Sequence, residues 1–107
     1  MEMGLNNKTA LVTGSTKGIG KAIAKELAKE GVNVLINGRN YEEAERTVQE
    51  IKSEFPLTSP QNAAADIVDA QQREALFSKY PRVDMLVNTQ RHRDCIRMQL
   101  VFQFQLV

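Results

Sequence analysis

Thr13-Gly14-Ser15-Thr16-Lys17-Gly18-Ile19-Gly20 sets three glycines between an apolar run and an amphipathic one. A strand that turns through glycines into a helix leaves backbone N–H groups and the positive end of the helix dipole free to hold a phosphate. In such a turn Gly14 permits the sharp reversal, Gly18 lets a pyrophosphate approach the backbone, and Gly20 lets the helix pack tightly on the strand. The bland alternative is a glycine-rich structural turn; the strand before it and the helix and second strand after it favour the phosphate. A nucleoside-triphosphate loop fails on two counts, because it needs a glycine five positions ahead of a Gly-Lys-Ser/Thr run. Here Ala22 follows Gly20-Lys21, and Ser15 occupies the fifth position before Gly20.

About twenty residues past such a turn, a dinucleotide fold places the group that meets the adenosine ribose, an acid for a free 2′-hydroxyl or a base for a 2′-phosphate. The residues there are Asn37-Gly38-Arg39, without a carboxylate. Arg39 together with Lys17 supplies two cations, which favours NADP(H) over NAD(H). Read plainly, both are solvated surface charges.

The elements that must position these residues follow from periodicity. Residues 9–13 form a short, partly β-branched strand. Ile19, Ile23 and Leu27 then repeat every four residues beside Ala24 and Ala28, with Lys21, Lys25 and Lys29 opposite, predicting an amphipathic helix that stops at Gly31. Residues 32–37 read as a strand apolar on both faces, as in a parallel sheet covered by helices. Asn40 with Glu43 caps a second helix whose Ala44, Val48, Ile51 and Phe55 share a face, closed by Pro56 and Pro60. A weak strand over 63–66, a third helix capped by Asp69 with Leu76, Phe77 and Tyr80 inward, and a strand over 83–88 complete a β-α-β-α-β-α-β order. Short connections in that order favour a parallel sheet with right-handed crossovers.

The composition narrows the function classes. A chain of 107 residues, 42% hydrophobic and 25% charged, suits one globular domain and excludes a disordered tail or a two-domain enzyme. Its net charge of +1 implies no general attraction to nucleic acid or to an acidic membrane. The single cysteine, Cys95, excludes an internal disulfide framework and points to the cytoplasm. No apolar run reaches the roughly 20 residues of a membrane span, and the start lacks a secretory signal, so the Asn7-Lys8-Thr9 sequon is expected to be idle. All six glycines lie within residues 1–38, and residues 89–107 carry Arg91, Arg93 and Arg97 against Asp94 alone. That tail lacks turn chemistry, although 100–107 alternates in a strand-like way.

The motif at 13–20 resembles the cofactor signature of the short-chain dehydrogenase/reductase family, and the resemblance extends over residues 5–88. It implies an aspartate beside the adenine ring, matched by Asp66 in Ala65-Asp66-Ile67, and an asparagine ending the fourth strand, matched by Asn88 in Asp84-Met85-Leu86-Val87-Asn88. Cofactor contacts are thereby expected at Gly14, Ser15, Thr16, Lys17, Gly18, Ile19, Gly20, Arg39, Asp66, Ile67 and Asn88. Beyond Asn88 the chain departs from the family pattern, with Thr89, Gln90 and Arg91 in place of Asn, Ala and Gly.

The resemblance also implies hydride transfer between a nicotinamide and a carbonyl or alcohol, using a serine and a tyrosine followed four residues later by a lysine. Tyr41 is followed at that distance by Glu45 and Tyr80 by Asp84, so no catalytic residue is assigned. His92 and Cys95, three apart, would supply only two of the four ligands of a closed zinc site, so no metal is expected. Cys95 reads as an incidental thiol and the three tail arginines as a solvated patch.

The expected fold is α/β, a partial Rossmann-type doubly wound parallel sheet in strand order 3-2-1-4 within three α/β/α layers. Residues 1–88 form its dinucleotide-binding half-domain and 89–107 an atypical tail. The expected function is that of a truncated amino-terminal part of such a reductase, binding NADP(H) without catalysing alone. The alternatives are an interaction module, in which 100–107 pairs with the open edge of the fourth strand or with a second copy in a strand-exchanged homodimer, and a reductase completed by a partner chain.

Overall fold

The computed structural model describes the backbone of residues 8–92 and 95–102 and side chains as far as Val87. In chain order the elements are β1 (Thr9–Val12), α1 (Gly18–Lys29), β2 (Asn33–Ile36), α2 (Tyr41–Glu54), β3 (Gln61–Asn62), α3 (Ala70–Lys79), β4 (Met85–His92) and β5 (Cys95–Phe102). They make one sheet in the order β3-β2-β1-β4-β5. The first four strands are mutually parallel in the expected order 3-2-1-4. Leu11 pairs with Leu35 on one side and Leu86 on the other, fixing the register.

Strand alternation sorts the apolar side chains into two layers. Ala10, Val12, Val34, Ile36, Met85 and Val87 pack with Ala24 and Ala28 of α1 and with Ala44, Val48 and Ile51 of α2. Leu11 and Leu35 face the other way and pack with Ala63, Val83 and Leu76 of α3. Two helices thus cover one face and a single helix the other, the three-layer arrangement expected of parallel strands buried on both sides.

Helix starts follow their caps. Asn40 Oδ1 accepts from Glu43 N at 3.0 Å, and Asp69 Oδ1 accepts from Gln71 N at 2.9 Å and Gln72 N at 3.2 Å. The helix ends fall just before Pro56 and Pro81.

Three expectations are corrected. The inner stripe of α1 is Gly20, Ala24 and Ala28, while Ile23 and Leu27 flank it and Ile19 remains 46% exposed. Small residues win the sheet-facing position because the helix sits too close for branched ones. Lys21 and Lys25, on the opposite face as expected, reach Glu50 and Glu54 of α2. The third strand is Gln61–Asn62 rather than 63–66, since Ala63 and Ala65 already bond to the β2 end through Ile36 and Gly38 carbonyls outside the ladder. The fourth strand begins at Met85 and runs on to His92, because β5 pairs with it antiparallel in its own chain, from Met85 with Phe102 to His92 with Cys95. Thus much of the tail is strand; residues 103–107, the rest of the alternating segment, lie outside the described residues.

Candidate dinucleotide-binding site

The carboxyl ends of β1, β2 and β3 are tied together by hydrogen bonds that also hold the glycine turn. Thr13 N donates to the Val87 carbonyl at 2.9 Å, joining the end of β1 to β4 at the point where strand order reverses. Ser15 is fully buried, with its amide 2.8 Å from the Asn37 carbonyl and its Oγ accepting from Asn37 N at 2.8 Å. The Asn37 side chain continues the chain of contacts, donating from Nδ2 to the carbonyls of Ala63 at 2.9 Å and Ala65 at 3.2 Å. Ser15 therefore supports the turn from beneath with its hydroxyl directed into the protein. Asn37 is a bracing residue that reading the sequence misses, because it sits at a strand end and its partners are 22 to 28 residues away.

Within the turn, Gly14 and Gly18 have φ of 59° and 64°, a region that costs other residues roughly 1 kcal/mol or more. A Cβ on Gly20 would collide with the Gly14 carbonyl, so the helix start and the turn are in direct contact. A Cβ on Gly18, by contrast, would meet nothing within 4 Å. That open space borders the first turn of α1, where Lys17 is the extended N-cap, no side chain caps it and the turn itself contains no acidic residue. Unlike α2 and α3, α1 begins without an acceptor of its own. The room, the uncapped N–H groups and the exposed Ile19 fit a diphosphate with its ribose laid across the turn.

Lys17 and Arg39 are both exposed. Thr16 and Gly38 are in contact, since a Cβ on Gly38 would lie 2.7 Å from Thr16 Cγ2. Lys17 and Arg39 are the next residues along the two segments that meet there. Asp66 follows at the end of the third connection: its amide donates to Gln72 Oε1 at 2.9 Å and its Oδ1 accepts from Val68 N at 3.1 Å. Ile67 packs on the α3 layer and its carbonyl accepts from Arg73 Nη1 at 3.1 Å. Asn88 stands on β4 in register with Gln99; its side chain lies outside the described residues.

Behind the turn, Glu50 of α2 lies 2.8 Å from Lys21 and 2.7 Å from Lys25 of α1. Hydrogen bonds from these two ammonium groups hold its carboxyl below the ordinary glutamate range, and the same contact raises Lys25.

Neither tyrosine joins the site. Tyr80 Oη donates to the Asn62 carbonyl at 3.2 Å with the Lys79 ammonium 5.5 Å from its ring centre, and Tyr41 opens α2 with 64% of its surface exposed. His92 and Cys95 are cross-strand partners. Among the described residues no group of three or more His, Cys, Asp or Glu side chains could hold a metal, and no helix is long and apolar enough to cross a membrane.

Comparison with known proteins gives the same outline. The family model described as short chain dehydrogenase matches residues 8–92. An uncharacterized oxidoreductase of Bacillus subtilis (strain 168), YvaG, is 49% identical over 88 residues, which cover 82% of this chain and 33% of that protein. The crystal structure of YwfH, an NADPH-dependent reductase involved in bacilysin biosynthesis, matches with a TM-score of 0.72 at 35% identity, over 76% of this chain and 36% of that one. L-sorbose reductase from Gluconobacter frateurii, solved with NADPH and L-sorbose, matches with a TM-score of 0.70 at 30% identity, over 80% of this chain and 34% of that one. The chain spans about a third of the length of these relatives. A glycine turn after the first strand of a 3-2-1-4 parallel sheet, in a chain that the short chain dehydrogenase model matches along most of its length, makes this chain a member of the short-chain dehydrogenase family.

Proposed function

We propose that the chain binds NADP(H) through its glycine turn, in the cytoplasm, and that these 107 residues alone do not carry out hydride transfer. The observation that carries the reading is the uncapped, braced turn at 13–20 with exposed Lys17 and Arg39 each following a residue of the Thr16–Gly38 contact. The diphosphate would be held by the N–H groups at the start of α1, the 2′-phosphate by Lys17 and Arg39, and the adenine by Asp66 and Ile67. When bound, the dinucleotide supplies a hydride donor or acceptor. The residues of this chain bind and orient its adenosine half, and no Tyr-x-x-x-Lys pair is present to move the proton. That two of the solved relatives are NADPH-dependent or NADPH-bound supports the phosphate preference.

Fluorescence titration with NADPH and NADH tests the reading. The native chain is expected to bind NADPH more tightly, and Arg39→Ala to narrow that gap by roughly tenfold or more, the worth of a hydrogen bond to a charged group. Equal affinity for both nucleotides, or no effect of Arg39→Ala, removes the phosphate assignment; carbonyl-dependent NADPH oxidation by the purified chain removes catalytic incompetence. Size exclusion with light scattering tests the competing reading of a strand-exchanged homodimer, which a monomer with tight NADPH binding excludes.

A further inference from the structure

The glycine turn has a second charged wall that the family motif does not include. A cleft of about 290 Å³ runs between the turn and α2, lined by Thr16 and Lys17 on one side and by Glu43, Arg46 and Glu50 on the other, with Lys21 between. Positions 43, 46 and 50 lie on one face of α2, so its turn-facing surface alternates acid, base, acid. The charges there are not equivalent. Glu50 is matched by Lys21 and Lys25 at 2.8 and 2.7 Å, so those three groups largely satisfy one another. Lys17 and Arg46 are exposed and form no ion pair among the described residues. Thr16, which lines the cleft, is also the residue in contact with Gly38, so the cleft opens beside the position from which Arg39 leaves.

We infer that Arg46 is a further specificity-determining residue, a third cation that holds the cofactor's 2′-phosphate from the α2 side of the cleft opposite Lys17. The inference rests on the NADP(H) reading and deepens it. A guanidinium is the suitable group there, because its planar donors can take two phosphate oxygens at once while the helix holds its backbone still. Glu43, on the same wall, is the one cleft carboxylate left without a lysine partner, and it opposes a phosphate at that position. The two side chains therefore tune phosphate affinity in opposite directions. Neither acts on a cofactor that ends in a free 2′-hydroxyl.

The test is titration of the full chain and its variants with NADPH, NADH and 2′,5′-ADP. Arg46→Ala is expected to weaken NADPH and 2′,5′-ADP by about tenfold and leave NADH unchanged, with Arg46→Lys recovering most of the loss. Glu43→Gln, which keeps the length of the side chain, is expected to tighten NADPH by a few-fold and leave NADH unchanged. If Arg46→Ala shifts both nucleotides equally or neither, while Arg39→Ala still narrows the gap, the inference fails and the phosphate reading stands. If the native chain does not distinguish NADPH from NADH, the reading fails and the inference with it. Arg46 is exposed, so an unchanged thermal melt of its variants is expected, and a large loss of stability would mark Arg46 as structural and overturn the assignment.

Discussion

Asn37 is uncharged, yet it joins the turn after β1 to the connection after β3. Its amide meets Ser15 Oγ, and its Nδ2 meets two carbonyls, one of them on buried Ala63. Asn37→Ala leaves those carbonyls without their donor, and an unsatisfied buried acceptor costs about 1–3 kcal/mol. Urea unfolding should show that loss as a lower midpoint at unchanged slope, and NADPH affinity should fall with it because Asp66 is no longer held at its distance from the turn. An unchanged midpoint would mean the brace is dispensable. Gly20→Ala is the harsher change, since its methyl group meets the backbone of Gly14 and not a side chain that can turn away. A melt by circular dichroism is expected to show a loss above the roughly 1–3 kcal/mol typical of overpacking. At this scale the glycines were legible because their spacing is local. The Ser15–Asn37 bonds were not, because hydrogen bonds across 22 residues leave no trace in a pattern of residue types.

Helices 1 and 2 meet at Glu50, and that contact sets a pH dependence. Its carboxyl is held below its ordinary value of 4.5, so the stability it contributes is present above that pH and is lost as pH falls through the lower, folded-state value. Lys25, raised from 10.5, contributes stability that is present below that pH and lost as pH rises through its higher folded-state value. The contact should therefore be constant across the neutral range and weaken at both ends. With Glu50 39% exposed, solvent screening keeps the total to about 1 kcal/mol or less. Glu50→Gln should flatten the acid limb of a stability-versus-pH curve and reduce its salt sensitivity; an identical curve would show the contact to be neutral. The helices themselves were readable from caps and prolines: Asn40 and Asp69 do what their types suggest. The rotation of α1 was not, because periodicity marks Ile19, Ile23 and Leu27 without registering that a glycine and two alanines allow a closer approach. The polar pair Gln61–Asn62 has no strand signature of its own and becomes a strand through its pairing with Leu35 and Ile36.

Among the described residues, the two apolar layers are covered unequally, by α1 and α2 on one face and by α3 on the other, where Leu86 stays partly exposed. A chain of this size has little stability to spare, so a bound nucleotide should be plainly visible in its melting. NADPH at a hundred times its dissociation constant adds about 2.7 kcal/mol, which for about 100 residues raises Tm by roughly 10 °C or more. NADH at the same concentration should raise it less; no shift with either would mean that the turn is empty scaffolding. The sheet order was legible as far as β4, because each crossover helix announces the next parallel strand. The fifth strand was legible only in part: the alternation at 100–107 suggests a strand able to pair with the edge of β4, whereas the bounds Cys95–Phe102 and the antiparallel register come from pairing partners that composition does not reveal.

That return strand sets a condition on assembly. Eight residue pairs, from Met85 with Phe102 to His92 with Cys95, fill the outer edge of β4. A partner chain carrying further parallel strands could add there only by peeling β5 away, so completion is a displacement reaction with an opening step of its own. Its rate would follow the fraying of the β4–β5 hairpin, readable as amide exchange at 95–102, and would level off at high partner concentration where a vacant edge would keep accelerating.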